Sequence, residues 1–135
     1  MKIEMLKAKL HLACVTDANV EYEGSLGMDV ELMEAVGIHH YEKVLVANVN
    51  NGNRFETYAI PEPFGSRRIV LNGAAARLGS VGDRVIIMSF GWLSENDVQE
   101  GKHRPRVMHL DEYNEPVRRV STAVTTDDIA SMLGA

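Results

Sequence analysis

The chain has 135 residues, a length that closes one hydrophobic core and argues for a single domain over 1–135. Its 45% hydrophobic and 24% charged residues suit a globular protein, and no apolar run is long enough to span a bilayer. Fourteen Lys plus Arg against 19 Asp plus Glu give a net charge of −5; this speaks against a dedicated nucleic-acid binder but leaves room for a small anion held by clustered cations.

The N-terminal stretch is broken by Glu4, Lys7 and Lys9 and does not read as a signal peptide, so a cytoplasmic location is expected. One cysteine, Cys14, and five histidines, His11, His39, His40, His103 and His109, offer no paired metal spacing, and no metal is expected. GxGxxG and GxxxxGK[ST] are both absent, which removes the usual nucleotide cradles.

Alternation predicts a strand over 6–16, with Leu6, Ala8, Leu10, Leu12 and Cys14 on one face and Lys7, Lys9 and His11 on the other. Residues 17–27 are rich in turn formers. Asp29 then caps a short helix through Val36, closed by Gly37. Strands follow at 43–49 and 54–60, joined by a hairpin turn at Asn50-Asn51-Gly52, and Pro61 and Pro63 close the second. A strand at 68–71 runs into Asn72-Gly73-Ala74-Ala75-Ala76, and a strand at 84–90 reads as buried on both faces. A helical turn over 94–99, a strand pair at 106–110 and 116–120, and a final helix capped by Thr125 or Thr126 complete the chain. Strands at this spacing with short helical connectors point to a small closed barrel.

Chemistry has few candidate seats. Gly24-Ser25 is one of three Gly-Ser pairs, and such a pair is ordinarily a turn. Arg54, Glu56 and Tyr58 share a strand face, where a cation and a phenol could bind an anion and move a proton, although charges on strands are usually solvated. Small residues at Gly73, Ala74 and Ala75 let backbone amides approach a ligand and Asn72 adds an amide; the alternative is a helix N-terminus at Asn72. His11 titrates near neutral pH, but a lone strand histidine is more often structural.

Taken together these stretches resemble the pyruvoyl-dependent aspartate 1-decarboxylase family. The resemblance is carried by MLKAKLH at 5–11, VTDANVEYEGS at 15–25, NVNNGNRFETYAI at 48–60, GSRRIVLNGAAAR at 65–77 and VGDRVIIMSF at 81–90. It implies a mainly β, double-psi β-barrel fold and a homotetramer. It also implies self-cleavage between Gly24 and Ser25 into chains 1–24 and 25–135, with Ser25 becoming a covalent pyruvoyl group that forms a Schiff base with L-aspartate. The product would be β-alanine for pantothenate and coenzyme A. By the same match, Thr57 assists maturation and substrate binding, and Tyr58 is the proton donor. Lys9 and Arg54 hold the two substrate carboxylates in an order left open. Gly73, Ala74 and Ala75 line the pocket, while Asn72 and His11 support it. Ala47 departs from the family, in which well-known members carry tryptophan, and residues 116–135 carry none of the matching motifs. A catalytically silent barrel acting as a binding module is the competing class, and an uncleaved form awaiting a maturation factor is a third reading.

Overall fold

The computed structural model describes residues 1–120; the helix expected after Thr125 lies outside the described residues. In chain order the elements are β1 (Lys2–Cys14), β2 (Asp17–Asn19), β3 (Ser25–Asp29), α1 (Val30–Val36), β4 (Lys43–Asn48) and β5 (Arg54–Glu62). There follow β6 (Ile69–Asn72), a 3-10 turn (Gly73–Arg77), β7 (Arg84–Ser94), α2 (Glu95–Gln99), β8 (Arg106–Leu110) and β9 (Pro116–Val120).

The described strands form one mixed sheet in the order β2-β6-β3-β5-β4-β7-β1-β8-β9. β1 and β2 are separated by only Val15 and Thr16, which bond to Asp83 and Ile69 on either side. The two strands therefore act as one bent stave, and the ladder from β2 round to β1 closes on itself. This is the double-psi β-barrel, with β8 and β9 added outside β1. Leu10, Leu26, Met28, Ile69, Leu71, Val85 and Ile87 are fully buried within it. Each contributes roughly 1.5–3 kcal/mol of burial free energy. No helix among the described residues is long and apolar enough to cross a membrane.

Several local expectations hold. Asp29 accepts from the Glu31 amide at the start of α1, Gly37 ends that helix at φ 77, and Gly52 turns the β4–β5 hairpin at φ 79. Others need correction. In β1 the alternation breaks at Leu12, which takes φ 64 beside a register shift between Leu10 and Ala13. That bulge sends Ala13 and Val15 into the core, while Leu12 and Cys14 are only partly buried. The turn-rich reading of 17–27 misses β2 and the start of β3. β3 lies between β5 and β6, and every residue of it is buried. Pro61 does not end β5: it pairs with Met28, because β4 has already left β5 at Tyr58 and demands no amide there. β7 continues to Ser94 and is buried on one face only, through Val85, Ile87 and Ser89.

At the end of β3, the fully buried Asp29 carboxylate accepts from the amides of Glu31, Gly65 and Arg67 and from the Arg67 guanidinium. Burial pushes this carboxyl up, but the hydrogen bonds from Arg67, Glu31 and Gly65 outweigh it and hold it below its ordinary 3.8. Stability from Asp29 is therefore complete above that ordinary value and is lost as pH falls through the folded-state pKa. Asp29→Ala is expected to cost about 3 kcal/mol at pH 7 by leaving three amides unmatched and taking one of its three carboxylate partners from Arg67. Thermal melts should show the gap from the parent shrinking as the pH is lowered below 4.

Candidate active site

Two strands flank the one that begins at Ser25. In β6, Asn72 is the direct partner of Ser25. In β5, Leu26 pairs with Ala59, which puts Ser25 level with Tyr58 one step earlier. Gly24 lies in the exposed loop, whereas Ser25 is 2% exposed, so the peptide bond between them crosses from solvent into the barrel wall. The Asn72 side-chain amide donates to Ser25 Oγ at 3.1 Å, and the hydroxyl donates to the Glu23 carbonyl at 3.5 Å. The helix-start reading of Asn72 is half right. Asn72 precedes the 3-10 turn, but its side chain makes no cap bond and is committed to Ser25 instead.

Ser25, Tyr58 and Asn72 line one cavity of about 430 Å³, together with Tyr22, Tyr41 and Ile60. No sequence motif marks Tyr41. It takes φ 69, its ring stacks on His40 at 3.8 Å, and it lies 6.0 Å from the Tyr58 ring. Its amide donates to the Ala59 carbonyl, which ties this loop to β5 beside Tyr58. Nothing in residues 37–42 announces a tyrosine in the left-handed region.

Next to Asn72, Gly73 packs directly against the Gly24 loop. It adopts φ +64, and an added Cβ would lie 2.7 Å from Gly24 N and Cα and 2.8 Å from the Tyr22 carbonyl. Only glycine allows this approach. Gly73→Ala is expected to displace the Gly24-Ser25 bond, so that any backbone chemistry there slows at least tenfold while circular dichroism retains the barrel signature.

The remaining candidates are dispersed. Thr57 is half-buried on β5, in the alternate position to Tyr58 and Ile60. Ala75 is 6% exposed and belongs to the hydrophobic core, while Ala74 is exposed. Arg54 is four residues before Tyr58, about 13 Å along the strand, opposite Ala47. Lys9 pairs with Met88, which pairs with Leu45, which faces Glu56, so Lys9 is three strands from β5. Neither cation lines the cavity of Ser25. His11 sits opposite His109 with ring centroids 4.6 Å apart, and its Nδ1 is buried without a partner among the described residues. Burial, together with Lys9, His109 and Arg84, holds its imidazole below the ordinary 6.5. Among the described residues no three His, Cys, Asp or Glu side chains converge as a metal cage.

The sequence model described as Aspartate decarboxylase matches residues 1–117. The chain belongs to the aspartate decarboxylase family. It is 59% identical over 113 residues to the aspartate 1-decarboxylase of Thermosipho melanesiensis, covering 84% of this chain and 92% of that protein. The aspartate 1-decarboxylase of Thermosipho africanus is 55% identical over 113 residues, with 84% and 91% covered. That of Salinibacter ruber is 48% identical over 130 residues and covers 95% of this chain and 88% of its own. This last alignment extends beyond residue 117, so the tail that carries no motif is still alignable within the aspartate decarboxylase family.

Proposed function

We propose that this chain decarboxylates L-aspartate to β-alanine and CO2, as a carboxy-lyase that makes its own pyruvoyl group from Ser25. The single observation that supports this best is a buried serine behind an exposed glycine, with Tyr58 and Asn72 on the flanking strands and one cavity in front of all three.

Maturation is chain chemistry. The Ser25 hydroxyl attacks the Gly24 carbonyl; the Gly24–Ser25 C–N bond breaks, and an ester bond forms with a free amine on residue 25. Loss of the Gly24 carboxylate from the Ser25 β-carbon, with the α-proton, leaves a dehydroalanine. Water then replaces its nitrogen, which leaves as ammonia, and chains 1–24 and 25–135 result. The residues present fit such a group. Asn72 already holds the oxygen that attacks, the carbonyl carbon belongs to a glycine with open space where a Cβ would be, and Gly73 leaves the cradle clear. Thr57 positions the scissile carbonyl in this reading.

The pyruvoyl carbonyl, once formed, supplies an electron sink for the pair left behind by the departing carboxylate. The chain's own residues do the rest. The Tyr58 phenol returns a proton to the substrate carbon, and Tyr41 stands beside it on the same cavity. Asn72 orients the reacting end, and Gly73, Ala74 and Ala75 offer backbone amides. Lys9 and Arg54 are suited to the two substrate carboxylates. Since one chain holds them away from Ser25, a neighbouring copy in a homotetramer is the natural source of cations at the cavity. A cytoplasmic setting, with β-alanine passed on to pantothenate, completes the reading. In this reading the purified chain matures without a further factor.

Denaturing mass spectrometry of the purified protein, paired with a β-alanine assay, tests this. Fragments 1–24 and a ketone-bearing 25–135 are expected, with product formed from L-aspartate. A chain that stays whole on warming and yields no β-alanine overturns the reading.

A further inference from the structure

A second cavity lies elsewhere, beyond the loop that carries Tyr41. It has a volume of about 550 Å³ and is lined by Lys7, Glu34, His39, His103, Arg104 and Arg106. In a chain of net charge −5, three permanent cations and two imidazoles against one lining carboxylate are a local reversal of sign.

Lys7 is committed to Glu42, at 2.8 Å and 3.0 Å to its two oxygens. Arg104 and Arg106 have no carboxylate within 4.0 Å among the described residues, whereas Arg67 and Arg68 are both tied to acids. Both free arginines are exposed. The Arg106 guanidinium lies over Gly37, where an added Cβ would be 3.3 Å from Nη1, so the lack of a side chain there keeps the floor open. His103 is fixed by a hydrogen bond from Nε2 to the Leu6 carbonyl, leaving its other nitrogen uncommitted among the described residues. Buried Val36 and Ile38 supply an apolar wall.

We propose that this cavity is a binding site for a small phosphate-bearing anion, distinct from the Ser25 cavity. Two planar guanidinium forks favour phosphate oxygens in bidentate geometry, and the volume exceeds that of inorganic phosphate alone, so the apolar wall takes an organic group. The loop 37–42 separates the two cavities. Gly37, Ile38 and His39 face the anion side, and Tyr41 faces Ser25 and Tyr58. Glu42 braces it, accepting from Lys7 and the His39 amide while its backbone carbonyl accepts from Ala59. An anion competing for Lys7 loosens that brace and acts on the wall beside Tyr58.

Titration calorimetry with inorganic pyrophosphate on the purified full chain tests the site without reference to any chemistry at Ser25. Saturable binding is expected, weakened at least tenfold by Arg104→Ala/Arg106→Ala, with thermal stability and basal turnover unchanged. Succinate, a dicarboxylate control, is expected to bind at least tenfold more weakly. Absence of saturable binding, or equal binding by the double variant, overturns the site; equal binding of succinate overturns its phosphate class. Amide hydrogen exchange across 37–42 should change on addition of pyrophosphate, and a change confined to 103–106 overturns the link to the Tyr41 loop.

Discussion

Ser25→Ala is expected to leave one intact chain, with no fragment ending at Gly24 and no β-alanine from L-aspartate. Alanine fits a position that is already 2% exposed and paired in the centre of the sheet, so the barrel should still form. The change leaves the buried Asn72 amide without its partner, which costs about 1–3 kcal/mol. A melting temperature lowered by a few degrees, alongside total loss of cleavage, is the expected signature. Asn72→Ala supplies the graded companion: the hydroxyl remains but is no longer held, so cleavage should slow without stopping. An Ser25→Ala protein that still divides at this bond would show that another nucleophile does the work.

Tyr58→Phe is expected to separate the two stages of the chemistry. Phenylalanine keeps the ring beside Tyr41 and the wall of the cavity, so cleavage should proceed at close to the parent rate. Decarboxylation should fall by about 10²-fold or more, the usual contribution of a positioned acid. The measurement is turnover per ketone-bearing chain, which removes any difference in maturation. If the variant keeps parent turnover, the proton comes from elsewhere. Tyr22 and Tyr41, on the same cavity, are then the groups to substitute.

The local signals in the sequence that survived are those in which one residue type has one job. Asp29 before α1, Gly37 after it and Gly52 in the hairpin all act through conformations or hydrogen bonds that neighbouring residues can complete. Local signals fail where a distant strand makes the decision. The bulge at Leu12 reverses β1, and β3 emerges from a turn-rich stretch because β5 and β6 pair with it on both sides. Ser25, Tyr58 and Asn72 could be named from motifs, but their convergence depends on the order β6-β3-β5, which no periodicity reveals. Tyr41 gave no signal, since its φ is set by the tie to Ala59. Lys9 and Arg54 belong to the same motif set, yet in a single chain they stand on other parts of the wall.

The bent stave made by β1 and β2 has a consequence for how the protein could ever be remade. Both strands precede Ser25, so cleavage at that point would turn an internal stave into a separate peptide held by non-covalent contacts alone, chiefly its ladders to β6, β7 and β8. The precursor closes its barrel as an intramolecular event, whereas the two mature chains, once parted by denaturant, would have to find each other in solution. Recovery from unfolding would then depend on protein concentration for the cut form and not for the Ser25→Ala form. The act that creates the reactive group would also make folding a one-way passage.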